Sequence, residues 1–259
     1  MTHVHLTAWL FPGQGSQFVG MGRDLTSAFA PAREILAAAS AIAGVDLAAI
    51  IERGPEPLLT RTDHLQPALT AINIGCCRLL EAEGFRPDAV AGHSLGEFAA
   101  LYAARVLTLE DTLRLVVERG RLMHAAASTL TGGMLAVKDL DAAVVEGVVA
   151  QLSTHNGVGI ANYNSPRQIA ISGELESLTL AATMLTARGG RVVRLNVSGP
   201  WHSPLLADAS ERFVEVLRAV AFHPARVPVV LNVSGAAATD AVAIRSAMER
   251  QLCATVRLL

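Results

Sequence analysis

The stretch PDAVAGHSLGEFAALYAARVL, residues 87–107, decides how the chain folds. PDAVAG reads as a short apolar strand. Ser94 follows at once, inside a G-x-S-x-G, and LGEFAALYAARVL then reads as a helix. A bare G-x-S-x-G is a weak signal, because glycine and serine are both common. Between a strand and a helix it is the context a nucleophile elbow requires. The tight turn lifts the serine Oγ clear of the backbone, and the small Gly92 and Gly96 let strand and helix pass closely. The competing reading is a serine that only caps the helix.

Strands and helices alternate outward from this point. TAWLF (7–11) reads as a strand running into PGQGSQ, a loop with two glycines that leaves backbone N–H groups available. Helices are predicted at about 28–43 and 67–83, the second with Pro67 in its first turn. Thr108, with Asp111 three residues on, reads as a capping-box variant for a helix reaching about residue 127. Gly132-Gly133 breaks that pattern. A different order follows: strand 134–139, helix 141–152, strands 158–164 and 167–173 about a turn at Ser165-Pro166, helix 174–187, and strand 191–197. This β-α-β-β-α-β order is the ferredoxin-like arrangement. The main pattern then resumes with SGPWHSP, a helix at 205–220, the strand VPVVLNV (227–233) and a helix at 240–253. The expected fold is therefore α/β. Residues 1–128 and 198–259 form a large subdomain with a parallel sheet, and 129–197 an inserted ferredoxin-like small subdomain.

Composition sets outer limits. Of the 259 residues, 51% are hydrophobic and 17% charged, which suits a large core and excludes a disordered chain. The net charge of -2 and the lack of a basic run give nucleic acid nothing to bind. No apolar run reaches the roughly 18 residues of a membrane span. The longest candidate, 178–187, reads as a buried helix. The N-terminal MTHVHLTAWLF lacks the basic segment and apolar core of a signal peptide. Cys76 and Cys77 are adjacent and Cys253 stands alone, a set that suits a reducing cytoplasm. No cysteine–histidine spacing resembles a zinc site, and His3 and His5 carry no metal reading. No metal and no cofactor is expected.

A nucleophilic serine needs a base and an oxyanion hole. The N–H of Leu95, after the nucleophile, is the usual first donor; a second lies near Gln14, in the loop after the first strand. Among the histidines, His93 adjoins Ser94 but points elsewhere in a tight turn. His64, His124, His155 and His223 have no informative context. His202 does: Gly199 and Pro200 fix a turn where the chain returns to the main sheet. It is either the base or a satisfied surface histidine. On the helix after Thr108, the residues Thr112, Val116, Arg119 and Met123 form one stripe, more apolar than that of Arg114, Glu118 and Arg121. A buried arginine needs an anionic partner. That partner is either an internal carboxylate or the carboxylate of a substrate, which a guanidinium binds with two parallel hydrogen bonds. No acidic triad member stands out, the later acids lying mostly on polar helix faces, so a backbone carbonyl is a candidate to orient the histidine.

The chain resembles the malonyl-CoA:acyl carrier protein transacylases and the acyltransferase domains of polyketide synthases. The resemblance rests on FPGQGSQ (11–17), QPAL (66–69), GHSLGE (92–97), RLVVERGRLM (114–123), NYNSPRQIAISG (162–173), WHSPLL (201–206) and PVVLNV (228–233), in family order over nearly the whole chain. It implies an α/β-hydrolase-like large subdomain and a ferredoxin-like small one. It implies a serine acyl-enzyme at Ser94, His202 as general base and acid, an oxyanion hole of Gln14 and Leu95, and Arg119 on the malonyl carboxylate. Gln66 would contact substrate, and the backbone carbonyl of Gln251, in ERQL, would orient the histidine. Malonyl-CoA would be the donor and the phosphopantetheine of an acyl carrier protein the acceptor. The resemblance places the protein in fatty acid or polyketide biosynthesis, as a cytoplasmic monomer without nucleic-acid or membrane partners.

Two departures stand out. Family members continue past a PVRW motif into a further strand and helix, whereas ATVRLL ends at Leu259; the main sheet is expected to lack a strand. Trp201 precedes the histidine where family members often have Phe or Ser, and its ring is expected to crowd the acyl α-carbon. The alternatives are a trans-acting polyketide acyltransferase for another acyl group, a malonate decarboxylase transacylase subunit, or an inactive module that only docks a carrier protein.

Overall fold

The computed structural model describes residues 6–152 and 157–258; His3, His5 and His155 lie outside them. In chain order, the first half carries β1 (Ala8–Phe11), α1 (Arg23–Ala28), α2 (Ala30–Ala43), α3 (Leu47–Arg53), α4 (Glu56–Thr60), α5 (Thr62–Ala82), β2 (Ala89–Gly92), α6 (Gly96–Ala103) and α7 (Leu109–Thr129). There follow β3 (Gly132–Lys138), α8 (Ala142–Leu152), β4 (Val158–Ser165), β5 (Gln168–Glu174), α9 (Leu175–Thr186) and β6 (Arg191–Arg194). The chain then runs through α10 (Ala207–Arg218), β7 (Val229–Val230), β8 (Ala237–Ala238), α11 (Ala241–Arg250) and β9 (Val256–Arg257).

The chain divides into two compact units. Met1–Arg121, Val216–Leu231 and Ala236–Arg245 make the first; Leu122–Glu215, Asn232–Gly235 and Ser246–Leu259 make the second.

The first unit is built on the sheet β1-β2-β7-β8, in which β1, β2 and β7 run parallel. Trp9 and Phe11 of β1 are buried, as is Val90 of β2 opposite Trp9. The sequence reading differs here in three places. The helix expected from Pro67 begins five residues earlier, so Pro67 lies inside α5. A proline there forfeits one helical hydrogen bond. The deep burial of Leu65, Gln66, Ala68 and Leu69 around it offsets that loss. Helices α1, α3 and α4 were not expected, although Asp46 gives α3 a legible cap, its side chain accepting from Ala49 N at 2.9 Å. The strand expected at 227–233 shrinks to Val229–Val230, because the chain turns back at once and pairs as β8. The cap expected at Thr108 forms: its Oγ1 accepts from Asp111 N at 3.1 Å and donates to Asp111 Oδ2 at 2.6 Å.

In the second unit the sheet order is β6-β3-β5-β4-β9. The segment β3-α8-β4-β5-α9-β6 is the ferredoxin-like order read from the sequence, and β9 adds to its edge parallel to β4. Alternation sets the core. Leu135 pairs with Ile171 and Val137 with Ile169 across β3 and β5. These four side chains share one face, and Val145 and Val148 of α8 with Leu178 and Leu185 of α9 complete the cluster. Each such side chain contributes about 1.5–3 kcal/mol when fully buried. Among the described residues no single helix is long and apolar enough to cross a membrane.

Candidate active site

The nucleophile elbow forms where the sequence places it. His93 N donates to Phe11 O at 3.0 Å, which ties the turn to the neighbouring strand. Ser94 has φ 49°, in the left-handed region. A residue other than glycine pays roughly 1–2 kcal/mol for that conformation, and such strain gathers at functional positions. Gly96 N to His93 O (2.9 Å) and Glu97 N to Ser94 O (3.1 Å) then start α6. The flanking glycines are a steric necessity. A Cβ on Gly92 would lie 2.0 Å from the Gly96 carbonyl carbon, and one on Gly96 would lie 2.1 Å from Phe11 O. The loop after β1 presses on the same turn, for a Cβ on Gly13 would meet His93 O at 2.2 Å. That contact brings Gln14 beside the elbow. Neither Gln14 N–H nor Leu95 N–H donates to an acceptor among the described residues.

Arg119 joins this site. The stripe Thr112, Val116, Arg119 and Met123 is buried throughout, while Arg114 is exposed. Arg119 is 1% exposed and its Nη2 donates to Ser94 Oγ at 3.1 Å. Its guanidinium carbon lies 5.6 Å from the centre of the Phe98 ring, a cation–π distance. Burial, partly offset by the charge of Glu97, lowers its pKa from the ordinary 12.5 to about 10. Gln66 is fully buried on α5, where the backbone of Gly120, next to Arg119, comes against Thr62 and Gln66.

Glu97 is the exception among acids that the sequence reading put mostly on polar helix faces. Helix α6, GEFAALYA, has no polar face; all eight residues are buried, and Glu97 is 0% exposed. The signal was legible: a lone charge in a helix otherwise made of small and apolar residues has nowhere polar to point. The charge of Glu97 favours the protonated form of Arg119.

In the second unit the turn Gly199–His202 carries the candidate base. Trp201 N donates to Gly199 O at 3.1 Å, and Ser203 Oγ to Pro200 O at 2.7 Å. His202 has φ 56° and is 5% exposed, so it is not a surface histidine. Its Nδ1 lies 3.1 Å from Gln251 O and 3.1 Å from Ala254 O. Carbonyl oxygens only accept, so Nδ1 carries the proton and Nε2 keeps the lone pair a base requires. The Gln251 carbonyl was expected. The Ala254 carbonyl was not, and no sequence signal marks it, because the contact comes from how the chain turns after α11. Trp201 is 4% exposed, and its ring folds over Gly199, toward Ala127.

The first unit thus carries a strained serine on a glycine-locked elbow beside a buried cation, the second a histidine with a fixed tautomer, on an α/β-hydrolase-like scaffold with a ferredoxin-like insertion. Residues 8–258 match the acyl transferase domain family. The chain is 38% identical over 252 residues to a malonyl CoA-acyl carrier protein transacylase of Bacillus subtilis, covering 96% of this chain and 80% of that one. It is 39% identical over 253 residues to that of Synechocystis, covering 97% and 82%. Among solved structures, the Xanthomonas oryzae pv. oryzae malonyl-CoA:acyl carrier protein transacylase is 43% identical, with a TM-score of 0.92 and coverage of 97% and 81%. A malonyl-transacylase solved in complex with its type II polyketide synthase acyl-carrier protein is 38% identical, with a TM-score of 0.93 and coverage of 98% and 82%. The chain belongs to the acyl transferase domain family and, within it, to the malonyl CoA-acyl carrier protein transacylases.

Proposed function

We propose that the chain moves a malonyl group from malonyl-CoA to the phosphopantetheine thiol of an acyl carrier protein, through a malonyl ester on Ser94. In the first half-reaction His202 Nε2 takes the proton of Ser94 Oγ as it attacks the thioester carbonyl. The N–H groups of Gln14 and Leu95 hold the oxyanion. The tetrahedral intermediate collapses, the C–S bond breaks, and His202 returns the proton to the CoA sulfur. The second half-reaction reverses these steps with the carrier protein's thiol as nucleophile. The carbonyls of Gln251 and Ala254 keep the histidine in the working tautomer throughout. Gln66 lines the acyl pocket, whereas the Trp201 ring, folded over Gly199, is not the residue that crowds the acyl α-carbon. On this reading the enzyme works as a monomer in the cytoplasm, where its three free cysteines would stay reduced.

One observation carries the acyl specificity: the guanidinium that could clamp a carboxylate is already 3.1 Å from the nucleophile. In a malonyl group the carboxylate carbon and the thioester carbonyl carbon are two bonds apart. A carboxylate held by Arg119 therefore delivers the reacting carbonyl to Ser94. The names of the relatives, and the one solved with its carrier protein, support the same reading.

The test is intact-protein mass after mixing with malonyl-CoA. One malonyl unit should add to the wild type and none to Ser94→Ala. An adduct of the same mass on the Ala variant would refute the nucleophile, and no adduct on the wild type would favour a docking module. Free malonate released without carrier protein would mark a hydrolase instead.

A further inference from the structure

An oxyanion donor is effective only if its direction is set before the charge develops. The loop after β1 is poorly suited to set one by itself. Gln14 stands between two glycines, the residues with the most backbone freedom. Neither glycine is replaceable: a Cβ on Gly13 would meet His93 O at 2.2 Å, and Gly15 has φ 109°. Gln14 makes no hydrogen bond of its own among the described residues, and its Nε2 is buried without a partner. Whatever fixes its N–H acts through the neighbouring peptide groups.

Three side chains hold those groups, one for each of three successive peptides. Asn73, 5% exposed on α5, donates from Nδ2 to Pro12 O at 3.0 Å and holds the peptide between Pro12 and Gly13. The ring of Pro12 already locks its φ, so the bond from Asn73 restrains the soft torsion that remains there. Ser16 Oγ donates to Gly13 O at 2.8 Å, beside the longer turn bond from Ser16 N at 3.3 Å, and holds the peptide between Gly13 and Gln14. Gln17 Oε1 accepts from Gly15 N at 2.7 Å and holds the peptide between Gln14 and Gly15. The middle peptide carries the donor. In a trans peptide C=O and N–H point in opposite directions, so drawing Gly13 O into the turn directs the Gln14 N–H out of it.

Resting on the reading of the Gln14 N–H as an oxyanion donor, we infer that Ser16, Asn73 and Gln17 are its positioning residues: they hold a glycine-flanked loop in one orientation before substrate arrives. They act through the backbone and not on the reacting atoms. Ser16 and Gln17 brace the loop locally, whereas Asn73 ties it to a helix 61 residues further along the chain.

The experiment follows acylation of Ser94 by rapid-quench intact mass, reading the maximal rate and the half-saturating concentration for malonyl-CoA and for acetyl-CoA. Loss of a whole oxyanion donor costs about 10²–10³-fold in rate, and loosening one costs part of that. Ser16→Ala, Gln17→Leu and Asn73→Leu should each slow maximal acylation by about 3- to 30-fold. The loss should be the same for both acyl groups, because the same oxyanion forms on each, and half-saturation should stay within about threefold. Ser16→Thr keeps the hydroxyl and should restore the rate. A merely structural role would lower the melting temperature and leave the rate of the folded protein unchanged. Ser16 is exposed, so Ser16→Ala remains a folded test even where Asn73→Leu is not. A folded Ser16→Ala that acylates at the wild-type rate, or a loss confined to one acyl group, would overturn the inference. Replacing the Gln14 N–H by an ester oxygen, with the side chain kept, tests the premise separately. Acylation unchanged by the ester refutes Gln14 as a donor; acylation slowed by the ester but not by Ser16→Ala refutes the positioning alone.

Discussion

Replacing Arg119 with alanine separates an acid-selective transferase from a general esterase. At pH 8 the arginine, with a pKa of about 10, is roughly 99% charged. It is 1% exposed, so water contributes little to solvating a bound malonyl carboxylate. In Arg119→Ala that carboxylate enters a pocket that has lost its cation. Loss of a buried, hydrogen-bonded charge partner costs about 2–4 kcal/mol in transition-state binding. At 1.36 kcal/mol per factor of ten, kcat/KM for malonyl-CoA should fall on the order of 30- to 1,000-fold. Acetyl-CoA carries no carboxylate. Its transfer should hold or rise, because Ser94, His202 and the two oxyanion donors remain, and Ser94 Oγ sheds a donor that engages its lone pair at 3.1 Å. Arg119→Lys should restore malonyl transfer only partly, since an ammonium cannot present two parallel donors. The assay is the ratio of kcat/KM values for malonyl- and acetyl-CoA in wild type and both variants. A ratio unchanged in Arg119→Ala would refute the carboxylate clamp and leave the arginine a structural role only.

Two further outcomes follow from the geometry. Gln251→Ala should retain kcat within about threefold, because the residue orients His202 through its carbonyl, which alanine keeps; a loss beyond 100-fold would show that the side chain matters. Cys77 should resist alkylation at pH 8 while Cys76, exposed on the same helix, reacts, because burial raises the Cys77 thiol to about 12. The sign is definite: the folded state holds the Cys77 proton more tightly than the unfolded chain, so this group's stabilisation is complete below pH 9. It should be lost from there to pH 12, at about 1.4 kcal/mol per unit, in urea melts compared with Cys77→Ala.

The sequence exposes those parts of the site that depend on local steric rules. The elbow is legible because strand, glycine, serine, glycine and helix fall within ten residues, and the ferredoxin-like unit because each of its six elements has its own period. Arg119 shows through a helical stripe. What stays hidden depends on neighbours distant in sequence. Strands β7, β8 and β9 are two residues each, and partner strands define them rather than any alternation of their own. Pro67 looks like a helix start until the buried residues before it are known to be helical. The burial of Glu97 follows from the apolar helix that carries it, on which no face is polar.

The two carbonyls that hold His202 set this site apart from triads in which a carboxylate does the same work. A carboxylate can be deleted by one base change; a backbone oxygen cannot. Alanine scanning across 249–255 would pass over the orienting device while it remained fully in place. Its vulnerability is conformational instead, lodged in the path of the chain just after α11. A proline or an insertion there would disarm the histidine without altering a single catalytic side chain.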